Sequence, residues 1–224
     1  MWKHAYDSPW HNPTLFIVVN VALLLVALRS TSAMRSYILI FCAEILLDAT
    51  LTNDASPLPR ASLGYVAIPF VILGDARALV LMERLRATPS TRAWLEADPR
   101  KPTLFAIAFA FVVPVIAQLL RLAAPSLSGG RLLFLSYECV ALLAWSAYFA
   151  LRVRPALASA EPSFARWASK LFLFVLAQYA LWAFADVLII AGIDGGFGVR
   201  LVPNIMYYAV FLGFAWRSAP EGVR

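Results

Sequence analysis

The sequence is short of the residues on which most enzyme chemistry rests. It has only 2 cysteines and 2 histidines, which excludes a disulfide framework and a four-cysteine metal site. His4 and His11 both precede the first apolar run. An intramembrane haem, a histidine-ligated zinc and a Ser-His-Asp triad are therefore excluded too, and no metal or cofactor is expected. Charge is scarce: 14% of residues are charged and 62% apolar, against roughly 25% charged in a soluble domain. So few polar groups cannot cover a soluble fold, and the chain reads as a membrane protein. The 19 basic residues outnumber the 13 acidic ones. In this setting the excess fits loops facing anionic lipid, and no nucleic-acid partner is expected.

What the sequence does have is a series of apolar runs, at about 14–28, 36–52, 63–83, 103–124, 131–151, 171–193 and 201–216. A membrane-crossing helix needs roughly 17–25 such residues. Lipid offers no partner to an unpaired backbone group, so every run is read as a helix. The expectation is one all-α transmembrane domain over 1–224, a polytopic bundle of seven helices. The first run, with Lys3 before it and Thr31-Ser32-Ala33 after it, has features of a signal peptide. Arg29 interrupts its end, and a retained helix is expected. Basic residues gather on one side, at Arg29, Arg35, along 84–101, at 152–170 and after 216. The other side has Lys3, Arg60, Arg131 and Arg200. The positive-inside rule then puts the N-terminus out and the C-terminus in.

The connections carry their own signals. Pro89, Pro99 and Pro102 break the longest inner loop, and Ser90 is placed to cap a short helix. Trp94 and Trp167 are expected at headgroup level. Glu161-Pro162-Ser163 starts the sixth helix, and the glycines of 192–196 predict a tight turn. Pro69 and Pro114 mark possible kinks, without a clearly broken helix. Cys42 and Cys139 read as small buried apolar residues.

Glu44, Asp48, Asp75, Glu138 and Asp186 fall inside the runs. An ionised carboxylate near the bilayer centre costs at least about 2.5–3.5 kcal/mol. Such residues persist where they face the bundle interior, carry a proton or have a partner. The intramembrane cations Arg77 and Arg121 are too few to pair with them all, so some carboxyls are expected to be protonated. Glu44 lies one turn from Asp48 on the same helix face. Tyr137, Gln118, Asn204, Tyr207 and Tyr208 lie at comparable depth and complete a polar pocket biased to the outer leaflet. Glu138 and Asp48 sit near the outer boundary, where snorkelling is an alternative. Arg77 is read as a partner of Asp75 or as reaching the headgroups. Asp75 and Asp186 are the candidate catalytic residues.

Several of these stretches have a further likeness. Leu73-Gly74-Asp75, followed by Ala-Arg-Ala-Leu and later Met82-Glu83-Arg84, resembles the first aspartate motif of the YhhN-like lysoplasmalogenases. The run from Ala180 to Leu188, with Ala185-Asp186 near its end, is similar to that family's second motif, where a serine precedes the aspartate. Met206-Tyr207-Tyr208-Ala209 resembles its final helix, and 137–145 a middle one. The likeness spans roughly 64–216. It lacks the family's histidine after the first aspartate, the glutamine after the paired tyrosines and an early Lys-Pro motif, and that family has eight spans. The resemblance implies hydrolysis of the vinyl ether bond of a lysoplasmalogen, releasing a fatty aldehyde. One aspartate would protonate carbon, and the other would activate water or stabilise the oxocarbenium ion. The implied partner is a membrane lipid or an amphipathic small molecule. With no export or organelle signal beyond the first run itself, a bacterial inner membrane is expected.

The rival reading is a non-enzymatic seven-helix transporter, receptor or sensor. Its rhodopsin-like layout lacks a lysine in 201–216 for a retinal Schiff base. Intramembrane carboxylates are what proton-coupled carriers use. A faint repeat, with 20–24 paralleled in 139–143 and Leu73-Gly74 in Leu212-Gly213, would pair spans 1–3 with spans 5–7 and favours a carrier.

Overall fold

Helix follows helix along the chain, because each apolar run can satisfy its backbone only within itself. The computed structural model describes residues 1–53, 56–98, 100–128 and 130–224. Pro99 and the side chains of Lys101, Pro102 and Arg121 lie outside the described residues. The helices are α1 (Trp2–Tyr6), α2 (Phe16–Leu28), α3 (Arg35–Leu51), α4 (Arg60–Ala87), α5 (Thr91–Glu96) and α6 (Arg100–Ala110). They continue as α7 (Val112–Ala123), α8 (Arg131–Tyr148), α9 (Arg154–Leu157), α10 (Pro162–Ile190), α11 (Gly195–Ile205) and α12 (Phe211–Ser218). No strand occurs among the described residues.

Among the described residues five helical stretches are long and apolar enough to cross a membrane: Trp10–Leu28, Tyr65–Ala87, Arg131–Leu157, Pro162–Ile190 and Gly195–Ser218. The chain has the helical, apolar make-up of a multi-pass membrane protein. The run at 36–52 forms α3, of 17 residues, and carries both Glu44 and Asp48. The run at 103–124 is interrupted at Phe111, which separates α6 from α7, and its described apolar part is Leu104–Leu120. Pro114 explains the interruption, since it has no N–H for the Ala110 carbonyl and its ring crowds that carbonyl.

The helices are also less regular than the sequence predicts. π-helical turns occur at Phe149–Val153 and Met206–Val210, and the stretch Trp10–Leu15 is kinked at Asn12, whose φ of −138° and ψ of 118° are not helical. Pro155 follows the first π turn, and its missing N–H leaves the Leu151 carbonyl without its regular partner, a mismatch that a wider turn absorbs.

α10 packs against α8 and α11, α4 against α6, and α2 against α3. Ser90 caps α5 as expected, its Oγ accepting from the Ala93 N–H at 3.2 Å. Trp94 and Trp167 are not exposed at a headgroup belt; both are buried. They pack on each other at 5.4 Å, and Trp167 donates its indole N–H to the Ala215 carbonyl at 3.1 Å. The loop folds back and closes one end of the core with aromatic rings. Cys42 is buried, whereas Cys139 is exposed.

Within 192–196 only Gly192 needs a positive φ, of 78°, and Gly195 already begins α11. Asp194, between them, binds α1. Its carboxylate accepts the backbone N–H of Trp2 at 2.8 Å and of Lys3 at 3.1 Å, and the terminal amine at 3.1 Å. The Trp2 and Lys3 amides, then the amine, hold its carboxyl below the usual carboxylate range. A folded value depressed this way stabilises the docked α1 above the ordinary carboxylate range. That stabilisation is lost as pH falls through Asp194's own, lower value. The Trp2 and Lys3 amide resonances should therefore shift together at acid pH. In Asp194→Asn they should already sit near the shifted position at neutral pH.

Candidate functional site

The intramembrane acids do converge, in two adjoining layers. The first is built around α4. Asp75 is buried, and its two carboxylate oxygens accept the phenolic O–H groups of Tyr137 from α8 and Tyr179 from α10. Among the described residues no basic group forms an ion pair with it.

Arg77 is not its partner. Two residues apart on a helix, Asp75 and Arg77 point to different sides. Arg77 is 1% exposed and faces α3, with Nε 3.2 Å from Glu44 Oε2. It also donates from Nη1 to the Tyr207 carbonyl at 3.0 Å and lies 4.1 Å from the centre of that ring. Asp48, one turn along α3, accepts from the Thr52 hydroxyl at 2.8 Å. Neither Asp48 nor Glu138 snorkels; both are buried.

The π turn at Met206–Val210 explains how adjacent tyrosines both join the interior. In a regular helix Tyr207 and Tyr208 would diverge by about 100°, and the wider turn brings them closer in direction. A π turn also leaves carbonyls unpaired within the helix. Arg77 takes that of Tyr207, and Asn20 from α2 takes that of Tyr208, at 2.7 Å. Tyr207 reaches Asp75's helix because Gly74 lacks a side chain: a Cβ there would lie 1.5 Å from the Tyr207 hydroxyl oxygen. Gly74→Ala should push Tyr207 aside and destabilise the protein by about 1–3 kcal/mol, the cost of overpacking. Unfolding in detergent measures this, and a Tyr207→Ala background should remove most of the penalty.

Beside Asp75, Gln178, Tyr179 and Tyr207 lies a void with about 10 Å³ of room. That is close to the minimum for one water; Asp75, Gln178, Tyr179 and Tyr207 bring polar groups to a wall that is otherwise mostly apolar, with Trp145, Val175 and Phe211.

The second layer lies further along α10. Asp186 follows Tyr179 by two helical turns on the same face, about 10 Å at 1.5 Å per residue. It is fully buried. Arg200 donates to Asp186 and, at 3.0 Å, to Glu138 Oε1; Arg131 stands 3.7 Å from Asp186. The sequence assigns Arg200 to an outer loop because it precedes the last apolar run. The structure puts it inside α11 and buried. Arg200, Asn204 and Tyr207 fall at i, i+4 and i+7, one helix face, and that spacing is the signal which could have found it. Asp75 and Asp186 thus have separate partners, tyrosines for one and arginines for the other.

Asn204 closes this end. Its Oδ1 accepts from the Trp182 indole at 2.7 Å, which turns Nδ2 toward His11 Nε2 at 3.4 Å. His11 Nδ1 is 2.9 Å from the Tyr6 carbonyl. These partners fit the tautomer with the proton on Nδ1. His11 precedes the apolar run but is buried, so one histidine does reach the interior. Gln118 does not: it is exposed on α7, whose buried face is taken by Val113 and Ala117. Among the described residues no three His, Cys, Asp or Glu side chains are placed to share a metal ion. Comparison with known protein families, curated proteins and solved structures gives no match.

Proposed function

We propose that the chain crosses the bilayer seven times, N-terminus out and C-terminus in, as one domain of a bacterial inner membrane. We further propose that its interior hydrolyses the vinyl ether bond of a lysoplasmalogen, as the YhhN-like motifs imply. The observation that carries this reading is Asp75: a buried carboxyl with phenol partners, no ion pair among the described residues and a water-sized void beside it. An unpaired carboxylate is expensive in lipid, and a carboxylic acid is much less so.

In the proposed reaction Asp75 gives its proton to the vinyl carbon remote from oxygen, leaving an oxocarbenium ion. Water adds to that cation at the carbon bearing oxygen. The hemiacetal then collapses to a fatty aldehyde and the glycerol hydroxyl, and the proton released returns to Asp75. Tyr137 and Tyr179 stabilise the Asp75 carboxylate while it is ionised. Asp186 is the second acidic group. With Glu138 it fixes Arg200, whose guanidinium suits the lipid phosphate. The substrate would extend along the two layers, which requires the tyrosines to part, and the π turn beneath Tyr207 supplies the irregular backbone for that movement.

The size of the void favours a second reading, a proton-coupled carrier, since it admits water but no acyl chain. Aldehyde release from a vinyl-ether lysolipid by purified protein supports the hydrolase. Uptake into liposomes driven by a pH gradient, with the solute chemically unchanged, supports the carrier. Absence of aldehyde release under both detergent and bilayer conditions would remove the hydrolase reading.

A further inference from the structure

A groove between α7 and α8 belongs to neither polar layer. Its volume is about 540 Å³, within the roughly 300–1,000 Å³ typical of small-molecule sites. Val112 and Ile116 of α7 face Val140, Leu143 and Ala147 of α8, so most of its wall is apolar.

One end differs. Arg152, in the π turn after α8, lines the groove with its guanidinium 3.9 Å from the centre of the Phe105 ring. Its Nε donates to Glu83 Oε1 at 3.0 Å. Arg86 donates to the same carboxylate at 3.1 Å, and the Tyr148 hydroxyl at 2.8 Å. One carboxylate therefore meets two guanidiniums, leaving a net positive charge. The carboxylate is buried and its accepting capacity is taken up by three side chains. The cations are not: the Arg152 side chain is 39% exposed and that of Arg86 30%.

An apolar trough that ends at the partly exposed, incompletely neutralised Arg152, with Arg86 beside it on the same carboxylate, matches an acyl chain with an anionic head. Guanidinium pairs well with phosphate, and basic pockets between membrane helices hold lipid headgroups. A zwitterionic head brings an ammonium group, for which the described lining residues offer no free carboxylate, because Glu83 is already engaged. We propose that this groove binds one acyl chain of an anionic phospholipid, with the phosphate held by Arg152, and Arg86 adding positive charge through the shared Glu83. The site is separate from the Asp75 chemistry and does not depend on it.

Native mass spectrometry of the full-length protein in detergent tests this, with phosphatidylglycerol and phosphatidylcholine of matched chains as probes. The wild type should retain phosphatidylglycerol about tenfold more strongly, as expected for a charge-assisted contact. Arg152→Gln should lose that preference while still taking up lipid. Ala147 is exposed in the groove, so Ala147→Trp should fill it without disturbing the core and should abolish retention of both lipids. Equal retention of the two lipids by the wild type would overturn the proposal. So would undiminished phosphatidylglycerol binding by Ala147→Trp. A dimer that Ala147→Trp dissociates would also overturn it, making the groove an interface between copies.

Discussion

Replacing Arg200 by methionine should destabilise the folded protein by about 3–5 kcal/mol, the cost of removing one partner from a buried ion cluster. Arg200 bridges Asp186 and Glu138, both buried. Without it two carboxylates share Arg131 alone, which is partly exposed and 3.7 Å from Asp186. The desolvation cost of the acids stays while most of the attraction that offsets it goes. Apolar substitution of all three members should behave differently. Arg200→Met with Asp186→Leu and Glu138→Leu should recover most of the loss, since a buried cluster is often no better than a well-packed apolar one. Denaturant titration in micelles gives both values. A near-neutral Arg200→Met would mean that the cluster is open to water.

The second large effect is chemical. Asp75→Asn should reduce aldehyde release about 10²–10⁴-fold, the usual contribution of a positioned general acid. Asparagine keeps the volume and can accept a tyrosine O–H, but it has no acidic proton to give to carbon. Tyr179→Phe should lose less, because it removes a hydrogen bond to the acid and not the proton itself. The unfolding midpoint of Asp75→Asn should stay near that of the wild type, which separates lost chemistry from lost folding. Wild-type turnover by Asp75→Asn would remove Asp75 from the reaction.

Much of this interior was legible in the sequence for one reason: charge in lipid is costly, so an acid inside an apolar run announces a polar interior. Glu44, Asp48, Asp75, Glu138 and Asp186 are all buried among polar or charged neighbours. The pairings were not legible. Asp75 and Arg77 are close in sequence, yet the helix turns them apart and Glu44 takes the arginine. Arg200 and His11 lie just outside apolar runs bounded by composition alone, Arg200 on backbone that is already helical and His11 beside the kink at Asn12. The break at Phe111 and the π turn after α8 are foreshadowed only by prolines, and a proline marks the position of an irregularity without giving its geometry. The contact between Tyr207 and Gly74 left a single trace, a glycine inside a helix with no turn to explain it.

The central claim is that acids from separate helices are buried in one interior and meet their polar partners there. A double-mutant cycle between Asp75 on α4 and Tyr179 on α10 tests it most directly. Unfolding free energies would be measured for Asp75→Ala, which leaves no acceptor for the phenol, for Tyr179→Phe and for the pair. A shared hydrogen bond predicts non-additivity of about 0.5–3 kcal/mol, whereas effects that add within about 0.3–0.5 kcal/mol would mean that the two side chains do not meet.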